Sequence, residues 1–210
     1  MNPRTLLTDP ARRLRHQRLC AQLRPLLSQW ADGADVVDEY LGDPSVDCGL
    51  ESLGADDALG LLDWIETTRL LTPVQRDQVT WQRARLAVER RIRELREEHQ
   101  RFQQLPVGAL DPTARLQLNP VRVWARMETG SLIDEQVEPP AHVVMFPVQG
   151  EVRHLTLGLE DQAVVNELAD FCPCTVAEWI AVSRIGGPET LLAALQPLIV
   201  AGLICVSHAS

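Results

Sequence analysis

The chain has no lysine, and its stretch Gly187–Gly202 has no arginine or histidine either. The order of elements in the last third makes that stretch the helix that would read DNA, and neutralisation of phosphates by basic side chains supplies most non-specific affinity for nucleic acid. Nucleic acid is therefore not the expected partner. The use of arginine for all 20 basic residues reflects a GC-rich coding composition more than chemistry. The net charge of −9 is uneven: Pro106–Ser210 holds 5 arginines against 12 acidic residues, and Met1–Leu105 holds 15 against 17. The acidic C-terminal half repels nucleic acid and anionic lipid, and suits solubility or a basic partner.

Long apolar runs are also lacking. The longest, near Leu198–Val206, is about half of what a membrane span needs, so no membrane association is expected. The N-terminus has Asp9 and several arginines but no apolar core, which argues against a secretory signal. Five cysteines, at positions 20, 48, 172, 174 and 205, are odd in number and follow no regular framework. Reduced thiols and a cytoplasmic location are the expectation. No glycine-rich phosphate loop, dinucleotide fingerprint, His-Glu zinc motif or Gly-x-Ser-x-Gly elbow is present, so the reading is of a non-enzyme without a cofactor.

What the chain does have is 45% hydrophobic residues against 23% charged, enough to bury a core. The predicted class is α+β: a helical half, 1–105, followed by a small domain, 106–210. In the first half, leucines spaced at helical intervals up to Trp30 predict one or two helices interrupted by Pro25. Asp32–Asp57 reads as an acidic loop with at most short helices, lacking the order of a calcium loop. Asp56–Leu70 is amphipathic, with Leu59, Leu61, Leu62, Trp64, Ile65 and Leu70 as expected core. Thr72 and Pro73 then start a single long helix to about Gln104. Trp81, Val88, Ile92, Leu95, His99 and Phe102 mark a seam near heptad spacing, and Glu89/Arg93 and Glu97/Arg101 are expected ion pairs.

Leu105–Pro120, with three prolines and Gly108, is the expected domain boundary. Strands follow at Val121–Met127, Ala141–Val148 and Val152–Leu157, the last two joined by a turn at Gln149–Gly150. Helices are predicted at Glu160–Phe171, Thr175–Arg184 and Pro188–Ala201, the second opened by a Thr175/Glu178 capping box. Three strands, three helices and a final apolar run, Leu203–Val206, give the order of a winged helix.

Two kinds of chemistry compete for the remaining features. Cys172-Pro173-Cys174, with His154 or Cys205 brought near, could bind a soft metal or pair as thiols, or it is a turn whose small cysteines pack inward. His142 and His154 are each alone in their local sequence, as ligands or as residues at the edge of a core. Alternation along Val152–Leu157 puts Leu155 and Leu157 on one face and Val152, His154 and Thr156 on the other. An edge strand here would offer unpaired backbone groups to an extended peptide, with pockets supplied by Leu191, Leu192 and Leu195 of the last helix. That helix is apolar around most of its surface, for a groove or for tighter burial.

The residues His142–Pro147, Glu151–Val182 and Glu189–Val206 together resemble PqqD-like RiPP recognition elements, in which Cys172-Pro173-Cys174 stands where an Asp-Gly turn is usual. More loosely, Leu116–Ser207 is similar to the C-terminal part of HvfC-type proteins, partners of multinuclear non-haem iron oxidases that modify peptide cysteines. The resemblance implies a winged-helix domain that binds the leader of a precursor peptide as an added strand. It implies contacts from Val152, Arg153, His154, Leu155 and Thr156 of the strand and Leu191, Leu192 and Leu195 of the helix. The protein would then be an accessory that presents the peptide to a modifying enzyme, with 1–105 as the docking platform. The acidic surface suits a leader with basic residues. The alternative is a winged-helix transcription regulator that dimerises through the long helix.

Overall fold

The computed structural model describes residues 10–46, 55–105, 108–133 and 138–208; Asp9, Asp47, Cys48 and Pro106 lie outside them. Among the described residues the fold is α+β, with nine helices and two three-stranded antiparallel sheets. The N-terminal layer is α1 (Pro10–Gln22), α2 (Arg24–Leu27), α3 (Gly33–Gly42) and α4 (Ala55–Thr68), packed on the first half of α5 (Pro73–Glu94). Leu19, Leu23, Val36, Val37, Leu61, Leu62, Ile65 and Val79 form its centre.

The acidic loop expected over Asp32–Asp57 contains a ten-residue helix, α3. Its carboxylates Asp35, Asp38 and Glu39 share the solvent face, while Val36, Val37, Tyr40 and Leu41 are buried at i, i+1, i+4 and i+5. Gly33 opens it because a Cβ there would lie 1.9 Å from the Leu27 carbonyl oxygen. Other acidic residues of the stretch have structural partners: Arg69 donates to both Asp32 and Glu39, and Trp64 Nε1–H donates to Asp43 at 2.7 Å. Leu70, expected in the core, is fully exposed just beyond the end of α4.

The helix expected from Pro73 to Gln104 starts as predicted and then breaks. Thr72 Oγ1 accepts from the Gln75 amide, and the Gln75 side chain accepts from the Thr72 amide. At Leu95 (φ −107°, ψ 34°) the chain leaves helical geometry, and α6 (Arg96–Gln103) follows. Glu89 pairs back to Arg85 at 3.8 Å instead of forward to Arg93, and Arg101 donates to the Glu97 carbonyl, not its carboxylate.

Three strands, β2 (Val123–Met127), β3 (Ala141–Val148) and β4 (Glu151–Leu157), form a sheet with β3 in the middle. Gln149 (φ 52°) and Gly150 (φ 85°) make the two-residue turn of the β3–β4 hairpin with both residues left-handed, the twist that such a hairpin requires. β3 is buried on both faces. Val143 and Met145 pack with Ala84 and Val88 of α5, whereas Val144 and Phe146 enter a second core with α7 (Leu159–Phe171), α8 (Val176–Val182) and α9 (Pro188–Ala201). A second sheet places β1 (Arg115–Leu118) between β5 (Cys174–Thr175) and β6 (Ile204–Ser207). Thus part of the expected linker, Leu105–Pro120, is the central strand of a sheet.

The N-terminal core and the core with α7, α8 and α9 lie on opposite sides of the expected boundary at Leu105, and a third core draws residues from both sides of it. Helix α5 contributes Val79 and Leu86 to the N-terminal core and Ala84 and Val88 to the one beneath the sheet. Asp77, only 1% exposed, accepts from the amides of Glu128 and Thr129 at 2.6 and 2.8 Å and from Thr129 Oγ1. This fastens the start of α5 to the end of β2. The seam read as a coiled-coil surface is therefore occupied within the same chain: Val88 is fully buried against the sheet, with Trp81, Ile92 and Leu95 packed around it.

Candidate functional site

β4 is an edge strand, paired on one side only. Because Val148 and Glu151 flank a two-residue turn, they form a hydrogen-bonded pair, and pairing alternates from there. Glu151, Arg153, Leu155 and Leu157 consequently direct their backbone groups to β3, and Val152, His154 and Thr156 direct theirs outward. Pro147, opposite Val152, fits this register: it has no N–H, and its carbonyl accepts from Asn119 Nδ2 at 3.1 Å on the β2 side. No hydrogen bond reaches the outward groups of Val152, His154 or Thr156 from outside the sheet among the described residues.

The side chains follow the predicted alternation. Val152 packs with the core under α5 and His154 meets Trp81, whereas Leu155 and Leu157 belong to the core with α7 and α9. Between α5 and the turn end of β4 lies an open hollow of about 670 Å³. Its walls are Trp81, Arg85, Glu89 and Ile92 on the helix and Met145, Val152 and His154 on the sheet, with Glu151 and Arg153 at the rim. The His154 ring stands edge-on to Trp81, centroids 4.7 Å apart and planes at 71°. Arg85 and Arg153 balance Glu89 and Glu151, so the rim has no dominant sign although this half of the chain is acidic. The reason to expect a basic peptide disappears at this site.

The other residues expected at the groove are elsewhere. Leu191 and Leu195 have no exposed surface and Leu192 is half-buried, all in the core formed with α7, α8 and β6. Most of the apolar surface of α9 thus serves burial, with Val200 left exposed, and the helix that lines the hollow near β4 is α5. Sequence reasoning missed Trp81, Arg85, Glu89 and Ile92 as a wall because their helical spacing is also that of a packing seam. Nothing local says that β4 lies across from them.

Cys172 and Cys174 sit at the end of α7 and in β5, in the core on the other face of the sheet from His154. Among the described residues no cluster of three or more His, Cys, Asp or Glu is placed to hold a metal. Burial, followed by the neighbouring Cys174, pushes the Cys172 thiol up to about 12. It is protonated at neutral pH and a weak nucleophile. Cys172 should accordingly resist iodoacetamide at pH 8 in the folded chain and react after denaturation in urea, as followed by mass spectrometry; equal reactivity in both states would contradict its burial.

Two histidines respond to desolvation. His154, packed against Trp81, and His99, buried on α6 with no partner for Nδ1, are both held below the ordinary value of 6.5 by burial. The unfolded chain therefore takes up protons first as pH falls. Stability is full above about pH 6.5 and declines below it, down to the lowered values of the folded state. Urea midpoints at pH 8 and pH 5.5 should differ in that direction, and His99→Leu should narrow the difference; a midpoint that rises on acidification would contradict this.

Comparison with protein families, with curated proteins and with solved structures finds no match to this chain.

Proposed function

We propose that this chain is a non-catalytic partner protein that binds an extended peptide by strand addition on β4 and presents it to a separate modifying enzyme. The observation that carries the reading is the free edge of β4 beside the hollow under α5. An edge strand with outward N–H and C=O groups gains main-chain hydrogen bonds from any extended segment, and pockets on alternate sides add selectivity. In this reading α7, α8, α9 and β6 with the strands form a winged helix similar to PqqD-like recognition elements. The peptide is the leader of a precursor, and the enzyme is of the multinuclear non-haem iron oxidase kind that HvfC-type proteins accompany. Use of the α5 seam within the chain, and the lack of basic residues along α9, weigh against a DNA-binding dimer.

The test is to pan the full chain against a random library of phage-displayed 15-residue peptides, with Thr156→Pro in parallel. Clones that bind the parent chain and lose Thr156→Pro support the reading. Failure to enrich clones, or enriched clones indifferent to Thr156→Pro, would overturn it, as would sequence-specific retention of DNA in a mobility shift at low salt.

A further inference from the structure

We propose, on the strand-addition reading above, that α5 forms the specificity wall of the site and that the bound peptide lodges one large apolar side chain, aromatic or branched aliphatic, against Trp81. A strand added to β4 sends alternate side chains toward α5. Those side chains meet the hollow, whose apolar surface is Trp81, Ile92 and Val152 with the buried Met145 beneath them. Each of these four belongs to the core beneath the sheet or packs on its margin, so the wall is backed by fixed structure. Trp81 is half-buried, leaving part of its ring free to receive a partner.

A second hollow of about 190 Å³ shares Trp81 and Arg85 with the first and adds Pro25, Leu26 and Leu132. Trp81 therefore lines both hollows. Trp is enriched among the residues that carry most of the energy of an interface. The rim bears two arginines and two glutamates, one of each already paired at 3.8 Å. Charge alone offers a peptide little discrimination, which leaves apolar shape as the selector. The N-terminal helical layer acquires a role in this arrangement: it holds α5 in place as the wall.

The same 15-residue phage library distinguishes this proposal from the reading on which it rests. The expected result is enrichment of Phe, Trp, Leu or Ile at one position of the selected clones, with affinity at least ten-fold weaker for Trp81→Ala and weaker also for Ile92→Ala. Trp124→Ala, on the opposite edge strand β2, should leave affinity unchanged. Thermal melts confirm that the variants fold, and the half-buried Ile92 gives a second probe should Trp81→Ala melt early. Clones that lose Thr156→Pro yet show no apolar position and ignore both Trp81→Ala and Ile92→Ala would overturn the anchor while the strand-addition reading stands. Clones indifferent to Thr156→Pro, or no clones, would overturn both.

Discussion

Thr156→Pro is expected to weaken peptide capture strongly while the protein stays folded. The Thr156 amide points away from β3, as the pairing of Val143 with Thr156 between the hydrogen-bonded neighbours Val144/Leu155 and His142/Leu157 requires. Proline at that position removes only an outward donor and puts a ring where an incoming strand would approach. Edge strands tolerate proline when its nitrogen faces solvent, so the cost in stability is expected to stay below about 1 kcal/mol. Loss of one main-chain bond and obstruction of its neighbours is worth on the order of 2 kcal/mol, a roughly 30-fold fall in affinity. Leu155→Pro is the contrast: it deletes a bond to Val144 and displaces a side chain of the core, so it should lower the urea midpoint clearly. Equal destabilisation by the two prolines would show that the register is wrong and that Thr156 faces inward.

Asp77→Ala has the largest expected effect on stability. The carboxylate is buried and accepts three hydrogen bonds, two of them from backbone amides just beyond β2. Removing it leaves the two amides without this acceptor, while Thr129 Oγ1 keeps Ser131 Oγ at 2.9 Å, at a cost of about 3 kcal/mol. Asp77→Asn keeps acceptor capacity on one atom and should cost about half as much. Arg76 pairs with Glu128 at 3.1 Å beside it, but that pair is exposed and contributes little. The consequence reaches the site, because Asp77 fixes the end of α5 one turn before Trp81. Chemical denaturation of both variants measures the loss; a change below 1 kcal/mol for Asp77→Ala would mean that α5 is held by its apolar contacts alone.

Much of the local structure was legible. Alternation and the Gln149–Gly150 turn located β3 and β4 almost to the residue, and capping signals located the starts of α5, α8 and α9. These features depend on contacts a few residues apart, where spacing in sequence is spacing in space. The errors lie where local signals were ambiguous. The acidic content of Asp32–Asp57 hid α3, because its buried Val36, Val37, Tyr40 and Leu41 form a narrow stripe among charges. Leu105–Pro120 read as a linker because four residues of strand, β1, are a weak pattern among prolines.

The candidate site was half legible. Alternation alone assigned Val152, His154 and Thr156 to one face, and Val152 and His154 do line the hollow. The choice of helix went wrong: Leu191, Leu192 and Leu195 and the seam of α5 are equally good apolar stripes, and a stripe does not name what it packs against. Sequence by itself determined the elements, their faces and the absence of basic residues along α9. Only the tertiary structure decided that Leu191, Leu195 and Leu198 of α9 are spent in the core and that α5 runs from one core to another and lines the hollow near β4. That choice rests on contacts such as Trp81 with His154 and Asp77 with Glu128, between residues far apart in the chain, where burial and hydrogen bonding are settled only when all the elements pack together.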